Sequence, residues 1–230
     1  MSHIVKPSVA EIMVQAGEVG LPAFLAQPGS ARGLVVFVHG SGSSRFSSRN
    51  RYVAEVLNGG GLGTLLFDLL TPDEHAVDTI TAEFRFDIPL LGQRTVATLD
   101  WLAEQSRLND LPVGLFGAST GAAAALNAAA ERPDQVGAVV SRGGRPDLAM
   151  TALPRVRAPT LLIVGGNDEP VIGMNEEAAR HLRAPWELAI VEGATHLFEE
   201  PGTLEQVAEL ARDWFLRYLS ANIVMMDFHT

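Results

Sequence analysis

Residues 111–121, Leu-Pro-Val-Gly-Leu-Phe-Gly-Ala-Ser-Thr-Gly (LPVGLFGASTG), decide the reading of this chain. Val113 to Phe116 is a short aliphatic and aromatic run of the kind that forms a strand, and Thr120 to Glu131 behind it is almost all glycine and alanine, which suits a helix lying very close to a sheet. Between the two sits Gly117-Ala118-Ser119-Thr120-Gly121, a G-x-S-x-G pattern at a strand-to-helix turn. A turn that sharp forces the serine into a strained backbone conformation, and the positions two before and two after it must be tiny for the chains to pass. The helix N-terminus behind the serine brings free N–H groups and positive potential to the place where a negative oxygen would form. Ser119 is therefore the candidate nucleophile.

Outward from this turn, apolar runs alternate with helix-spaced segments, the sign of β-α units around a mostly parallel sheet. Glu11 to Ala16 and Leu21 to Gln27 flank the Gly17 to Gly20 turn and read as an antiparallel hairpin. Gly33 to Val38, Leu62 to Asp68, Val113 to Phe116, Val136 to Ser141, Thr160 to Val164 and Glu187 to Val191 read as strands covered on both faces, which makes about eight in all. Helices are expected at Arg51 to Asn58, Gly92 to Arg107, Thr120 to Glu131 and Thr203 to Leu219, the last opening on a Thr203/Gln206 capping box. Leu70 to Pro89 is the one long irregular connection, a length that marks a functional or partly helical segment. One domain over 1–230 is the reading, with a core of about 11–219 and a frayed tail over 221–230.

Composition narrows the function classes. The chain of 230 residues is 47% hydrophobic and 19% charged, enough apolar matter for a sizeable core. A net charge of −10 with no run of Lys or Arg argues against a nucleic-acid partner. The absence of cysteine excludes disulfides, thiolate metal sites and a cysteine nucleophile. No apolar stretch of about 18 residues offers a membrane span, and Met1 to Pro7 does not read as a signal peptide, so a cytoplasmic protein is expected.

A serine alone is a weak nucleophile and needs a base, and the base needs an acid to orient it. Asp168 follows the run TLLIV in GGNDEPV, 49 positions after Ser119 (168 − 119), and His196 follows ELAIV in EGATHLF, 28 further on (196 − 168). Both stand at the C-terminal ends of expected strands, the edge at which Ser119 also emerges. Glu169 is the competing acid, one step out of place, while His3, His75, His181 and His229 have no such context. For an oxyanion, the backbone N–H groups of Thr120 and Ser41 are the candidate donors, with Gly42 the fallback for Ser41, because His39-Gly40-Ser41-Gly42 forms a glycine-rich loop after the third strand. That loop lacks the Lys-Ser/Thr ending of a phosphate-binding P-loop.

HGSGSS, GASTG, GGNDEPV and GATHLFEEPG, in that order over roughly Ile12 to Leu219, resemble the α/β-hydrolase superfamily, and within it the dienelactone hydrolase-like branch. The resemblance implies an α/β-hydrolase fold with helices on both faces of the sheet and no large cap domain. It implies hydrolysis of a small ester, lactone or thioester through an acyl-Ser119 intermediate, with no metal or organic cofactor. Dienelactone hydrolases proper use cysteine as the nucleophile, where this chain has Ser119. Similar sequences also form the hydrolase half of chains with a phosphoribosyltransferase domain, an activity not inferred for this one. An acyl transferase or a non-catalytic binding module on the same fold is the alternative, and oligomeric state is left open. In that branch arginines near the nucleophile hold a substrate carboxylate, which makes Arg85, Arg142 and Arg145 candidate substrate ligands, with Arg45, Arg49 and Arg51 also near the expected mouth. The bland alternative has these arginines tying loops together through acids such as Glu83, Asp87 and Asp147.

Overall fold

The computed structural model describes residues 7–219; the expectations for His3, for His229, for the chain start and for the tail over 221–230 lie outside the described residues. Eight strands form one sheet in the order β1-β2-β4-β3-β5-β6-β7-β8. They are β1 (Val9–Ala16), β2 (Val19–Ala26), β3 (Leu34–Val38), β4 (Gly63–Phe67), β5 (Val113–Ala118), β6 (Val136–Arg142), β7 (Thr160–Gly165) and β8 (Trp186–Val191). The hairpin β1-β2 and the β2-β4 pair are antiparallel, and every other neighbouring pair is parallel. The aliphatic runs GTLLF and LVVFV of β4 and β3 are buried at every position, as strands covered on both faces must be.

Among the described residues there are six α-helices, α1 (Ser48–Gly59), α2 (Pro72–Thr81), α3 (Ile88–Glu104), α4 (Thr120–Glu131), α5 (Glu169–Ala179) and α6 (Thr203–Tyr218), of which α2 buries only Asp78 and the others cover the sheet. On one face Val53 and Leu57 of α1 and Val207 and Phe215 of α6 pack on Val35, Phe37, Phe116 and Ile163. On the other, Val96 and Leu99 of α3 and the alanines of α4 pack on Val36, Leu65, Leu115 and Val139. The near absence of side chains in α4 has a measurable reason. A Cβ on Gly121 would stand 2.2 Å from the Val38 carbonyl oxygen, and one on Gly117 would stand 2.5 Å from Ala122 Cα. Both lie far inside van der Waals contact, so glycine is the only residue that allows β3, β5 and α4 to meet there.

One local expectation, a partly helical long connection, is met, and two others are corrected. The Leu70 to Pro89 connection holds α2, opened by a capping box in which Thr71 Oγ1 accepts from Glu74 N–H and the Glu74 carboxylate accepts from Thr71 N–H, with Pro72 in the first turn. Helix α3 starts at Ile88 rather than Gly92, with Asp87 capping Leu90 N–H at 3.0 Å. At α6 the N-cap is Gly202 in the left-handed region, and Thr203 donates its hydroxyl to Glu200 O instead of capping.

Candidate active site

Ser119 joins β5 to α4 with φ 52° and ψ −123°, and it is one of three non-glycine residues with positive φ among those described. A conformation of that type costs on the order of 1–3 kcal/mol and persists only where the surroundings over-determine it. Here they do. Ser119 N–H donates to Arg142 O and Ser119 O accepts from Arg145 N–H, both at 3.1 Å, so the end of β6 and the segment after it clamp the turn from one side. From the other side Gly40 presses against it, since a Cβ there would lie 3.1 Å from Ser119 Cβ.

Asp168 stands at the N-cap position of α5, yet its side chain makes no capping bond. Its Oδ2 instead lies 2.7 Å from His196 Nδ1. An aspartate that gives up a cap for a histidine forgoes about 1 kcal/mol of helix stabilisation for an oriented imidazole. With Nδ1–H directed to the carboxylate, Nε2 is left as the basic nitrogen. Asp168 is largely buried and His196 is partly exposed, as a base that must meet a substrate should be. The competing acid Glu169 is the exposed first residue of α5 and has no bond to His196.

Two loops are fastened together to make this pair. Asn167 N–H donates to Ala194 O and Asn167 Nδ2 to Gly193 O, which joins the acid loop to the histidine loop. Glu200 accepts both the N–H and the hydroxyl of Thr195, at 3.1 and 2.6 Å, beside His196. Those bonds hold the Glu200 carboxyl below the usual carboxylate range, the Thr195 hydroxyl most of all. Gly143 connects this assembly to the serine: it has φ +51°, a Cβ on it would lie 3.5 Å from His196 Cε1, and it directly follows the residue that clamps Ser119 N–H. Asn167, Gly143 and Glu200 escaped the sequence reading, since a tie between two loops has no periodicity of its own.

The loop after β3 sits where the oxyanion donors are expected. His39 is buried, with Nδ1–H donating to Gly40 O at 2.9 Å and Nε2 accepting from Leu69 N–H at 3.0 Å. Burial pushes the His39 pKa down, against smaller opposing effects of the Gly40 bond and the Asp68 charge, so the imidazole is held neutral as a strut between β3 and β4. Ser41 N–H donates to Thr120 Oγ1 at 2.9 Å, and Gly42 takes φ +69°.

The candidate arginines divide. Arg85 bonds Asp78 through Nε at 2.8 Å, and Asp78 also accepts the N–H groups of Phe84 and Arg85 at 2.9 Å. Arg145 is bidentate with Asp147 at 2.9 and 2.8 Å. Arg45 ties Asp68 and Glu11, and Arg49 reaches Glu199 at 3.5 Å. Arg142 is different. It is buried to 6% exposure, donates to Asn50 Oδ1 at 3.2 Å, leaves Nε without a partner and meets no carboxylate among the described residues. Burial, with the nearby Arg49 charge second, pushes its pKa down to about 10.

A hollow of about 550 Å³ lies elsewhere, lined by Leu99, Leu108, Val113, Gln135 and Gly137 at the edge where β5 and β6 begin. In a parallel sheet that edge is opposite Ser119, so its volume does not bear on the chemistry there. Among the described residues no group of three or more His, Asp or Glu is arranged to hold a metal ion, and no helix is long and apolar enough to cross a membrane.

A mostly parallel sheet flanked by helices, a strained serine at the β5–α4 turn and a carboxylate-bonded histidine on later loops define an α/β hydrolase. The chain belongs to the dienelactone hydrolase family, whose model matches residues 21–221. A dienelactone hydrolase structure from Anabaena variabilis is 58% identical and superposes with a TM-score of 0.93, covering 94% of this chain and 100% of that one. Est1E from Butyrivibrio proteoclasticus, 16% identical with a TM-score of 0.76 over 90% of this chain and 98% of that one, shares the fold. Two Mycobacterium tuberculosis sequences, provisionally named phosphoribosyl transferases, are 57% identical over 209 residues, 91% of this chain. The chain spans about half the length of these curated relatives, 46%.

Proposed function

We propose that this chain is a serine hydrolase that cleaves a small ester, lactone or thioester through an acyl intermediate on Ser119. The observation that carries the reading is the 2.7 Å Asp168–His196 contact on the sheet edge at which the strained Ser119 emerges. In the first step Ser119 Oγ attacks the substrate carbonyl carbon while His196 Nε2 takes its proton. The carbonyl oxygen becomes an oxyanion received by the Thr120 N–H and by the Ser41 loop, with Gly42 as the alternative amide. The C–O or C–S bond then breaks and His196 returns the proton to the departing alcohol or thiol. Water repeats the sequence on the acyl-serine and frees the acid. Asp168 holds Nδ1–H throughout and stabilises the imidazolium.

Of the three candidate substrate arginines, Arg85 and Arg145 have carboxylates of their own, which leaves Arg142 as the one whose charge a substrate acid group would complete. The phosphoribosyl transferase name belongs to proteins twice as long, and nothing in the Ser119 site calls for a phosphoribosyl donor. Turnover of p-nitrophenyl esters tests the proposal: wild type should hydrolyse them, and Ser119→Ala should lose about 10⁴-fold or more while keeping its fold. A serine variant within tenfold of wild type would refute it. Product release to an added alcohol in place of water would redirect the reading to acyl transfer.

A further inference from the structure

We infer that the Thr120 hydroxyl, and not only its backbone, is an oxyanion donor, acting as a relay in front of the Ser41 amide. The inference rests on Ser119 being the nucleophile. Its starting point is the 2.9 Å bond from Ser41 N–H to Thr120 Oγ1. The amide expected to bind the oxyanion is already directed at a hydroxyl, and that hydroxyl belongs to the residue beside the nucleophile.

Other threonines in helices behave differently. Thr81, Thr95 and Thr98 donate their hydroxyls to carbonyls four residues earlier, at 3.2, 2.9 and 2.9 Å. Thr120 opens α4, so no helical carbonyl stands four residues before it. Its oxygen is occupied as an acceptor, and its own proton remains to be given. A hydroxyl that accepts one hydrogen bond becomes a better donor of the next. Thr120 is buried at 5% exposure, where little water competes for that proton.

The surroundings hold this geometry. Gly121, the next residue, packs directly against the end of β3, where a Cβ would lie 2.2 Å from Val38 O and 2.4 Å from His39 O, which brings the start of α4 up to the loop. The Gly40 carbonyl accepts from His39 Nδ1–H and from Ser43 N–H, which pins the loop on its other side. As negative charge grows on the substrate oxygen, the Thr120 hydroxyl turns its proton to it, the Ser41 N–H strengthens the donation from behind, and the Thr120 N–H donates directly. No bond to carbon is formed or broken by Thr120, and its proton stays on Oγ1.

Thr120→Val, Thr120→Ala and Thr120→Ser separate this from its rivals. Loss of an oxyanion donor costs roughly 10²–10³ in kcat, so the valine and alanine variants should fall by about that factor with KM nearly unchanged, and serine should restore most of it. The inhibition constant of a trifluoromethyl ketone, which forms an oxyanion on the serine, should weaken in parallel with kcat. Thermal melting establishes that each variant is folded, and alanine serves if valine is not. If the folded valine or alanine variant turns over as fast as wild type, or faster, the hydroxyl merely occupies the place of the oxyanion and the inference is wrong. Equal losses in serine and valine would also overturn it. Labelling of Ser119 by a fluorophosphonate in wild type and in Thr120→Val keeps this result separate from the parent reading: an unlabelled wild type removes both, whereas a labelled pair with undiminished turnover removes only the relay.

Discussion

The serine turn and the segment over 71–88 both border the C-terminal edge of the sheet, yet they are held by opposite means. Around Ser119 the backbone itself is close-packed, with Gly117 and Gly121 placed where a single methyl group would strike a neighbouring chain at 2.5 and 2.2 Å. Over 71–88 the order comes from charge and hydrogen bonds: Glu74 with Arg94 at 2.6 Å, and Asp78 with Arg85 and two backbone amides. Contact between backbones has no slack and no dependence on pH or salt. Polar ties give way by degrees, and the ionic ones hold only while their partners stay charged.

The sharpest contrast comes from Gly121→Ala. The Val38 and His39 carbonyls, 2.2 and 2.4 Å from the new methyl, cannot both move without parting β3 from α4. A loss of more than about 4 kcal/mol is expected, seen as failure to fold or a collapsed denaturation midpoint. A folded variant within about 1 kcal/mol of wild type would show that the turn has slack after all. Next in size is Asp78→Asn. The amide retains one acceptor oxygen but not the charge, and Arg85 is partly exposed and can reach water. A loss of about 1–3 kcal/mol is expected, with the serine turn unaffected.

Acid should separate the two regions further. Burial alone would raise the Asp78 pKa, but the Arg85 and Phe84 amides, followed by the Arg85 side chain, more than offset this and hold it below the usual value. The stability it contributes is complete above the unfolded carboxyl's pKa and is lost as pH falls through the lower folded value. His39 adds a second, milder window. Its folded pKa lies below 6.5, so the unfolded state binds more protons in between and stability drops as pH falls from 6.5 through the folded value. Melting temperatures should therefore decline in both windows, and His39→Gln should flatten the upper one. An unchanged upper limb in that variant would assign the decline to another group.

A smaller effect is expected at Arg142→Met. If a substrate acid group completes that buried charge, KM for esters bearing a free carboxylate should rise relative to neutral analogues, and the difference should shrink with added salt. Equal KM values for the two ester classes in wild type would leave Arg142 a structural role. Smaller still, Arg145→Ala should cost under about 1 kcal/mol, because its partner Asp147 is partly exposed and two residues away.

The same contrast explains what could be read from the amino acids alone. Close-packed turns demand particular small residues at fixed spacing, so G-x-S-x-G between a strand and an alanine-rich helix is visible without coordinates. The Asp168 and His196 loops were legible as polar residues at strand ends, and the structure places them 2.7 Å apart. Ties between loops carry no such pattern. Whether Arg85 pairs with Asp78 or with Glu83, and whether Ser41 N–H faces solvent or Thr120, depends on distances that spacing does not encode. Helix α2 lies in the segment read as functional or partly helical, but its bounds are not legible there: the Thr71-Pro-Asp-Glu74 start is a capping signal, yet the apolar stripe behind it is too sparse, with Ile80 87% exposed. The Thr203/Gln206 cap failed for the converse reason: Gly202, free to take φ +83°, turns the chain one residue earlier.

Mass-spectrometric mapping of a fluorophosphonate adduct tests the central claim most directly. The account predicts one stoichiometric adduct on the peptide containing Ser119, formed quickly in wild type, absent in Ser119→Ala and strongly slowed in His196→Ala. An adduct on another serine, or labelling at Ser119 that His196→Ala leaves as fast as in wild type, would contradict it.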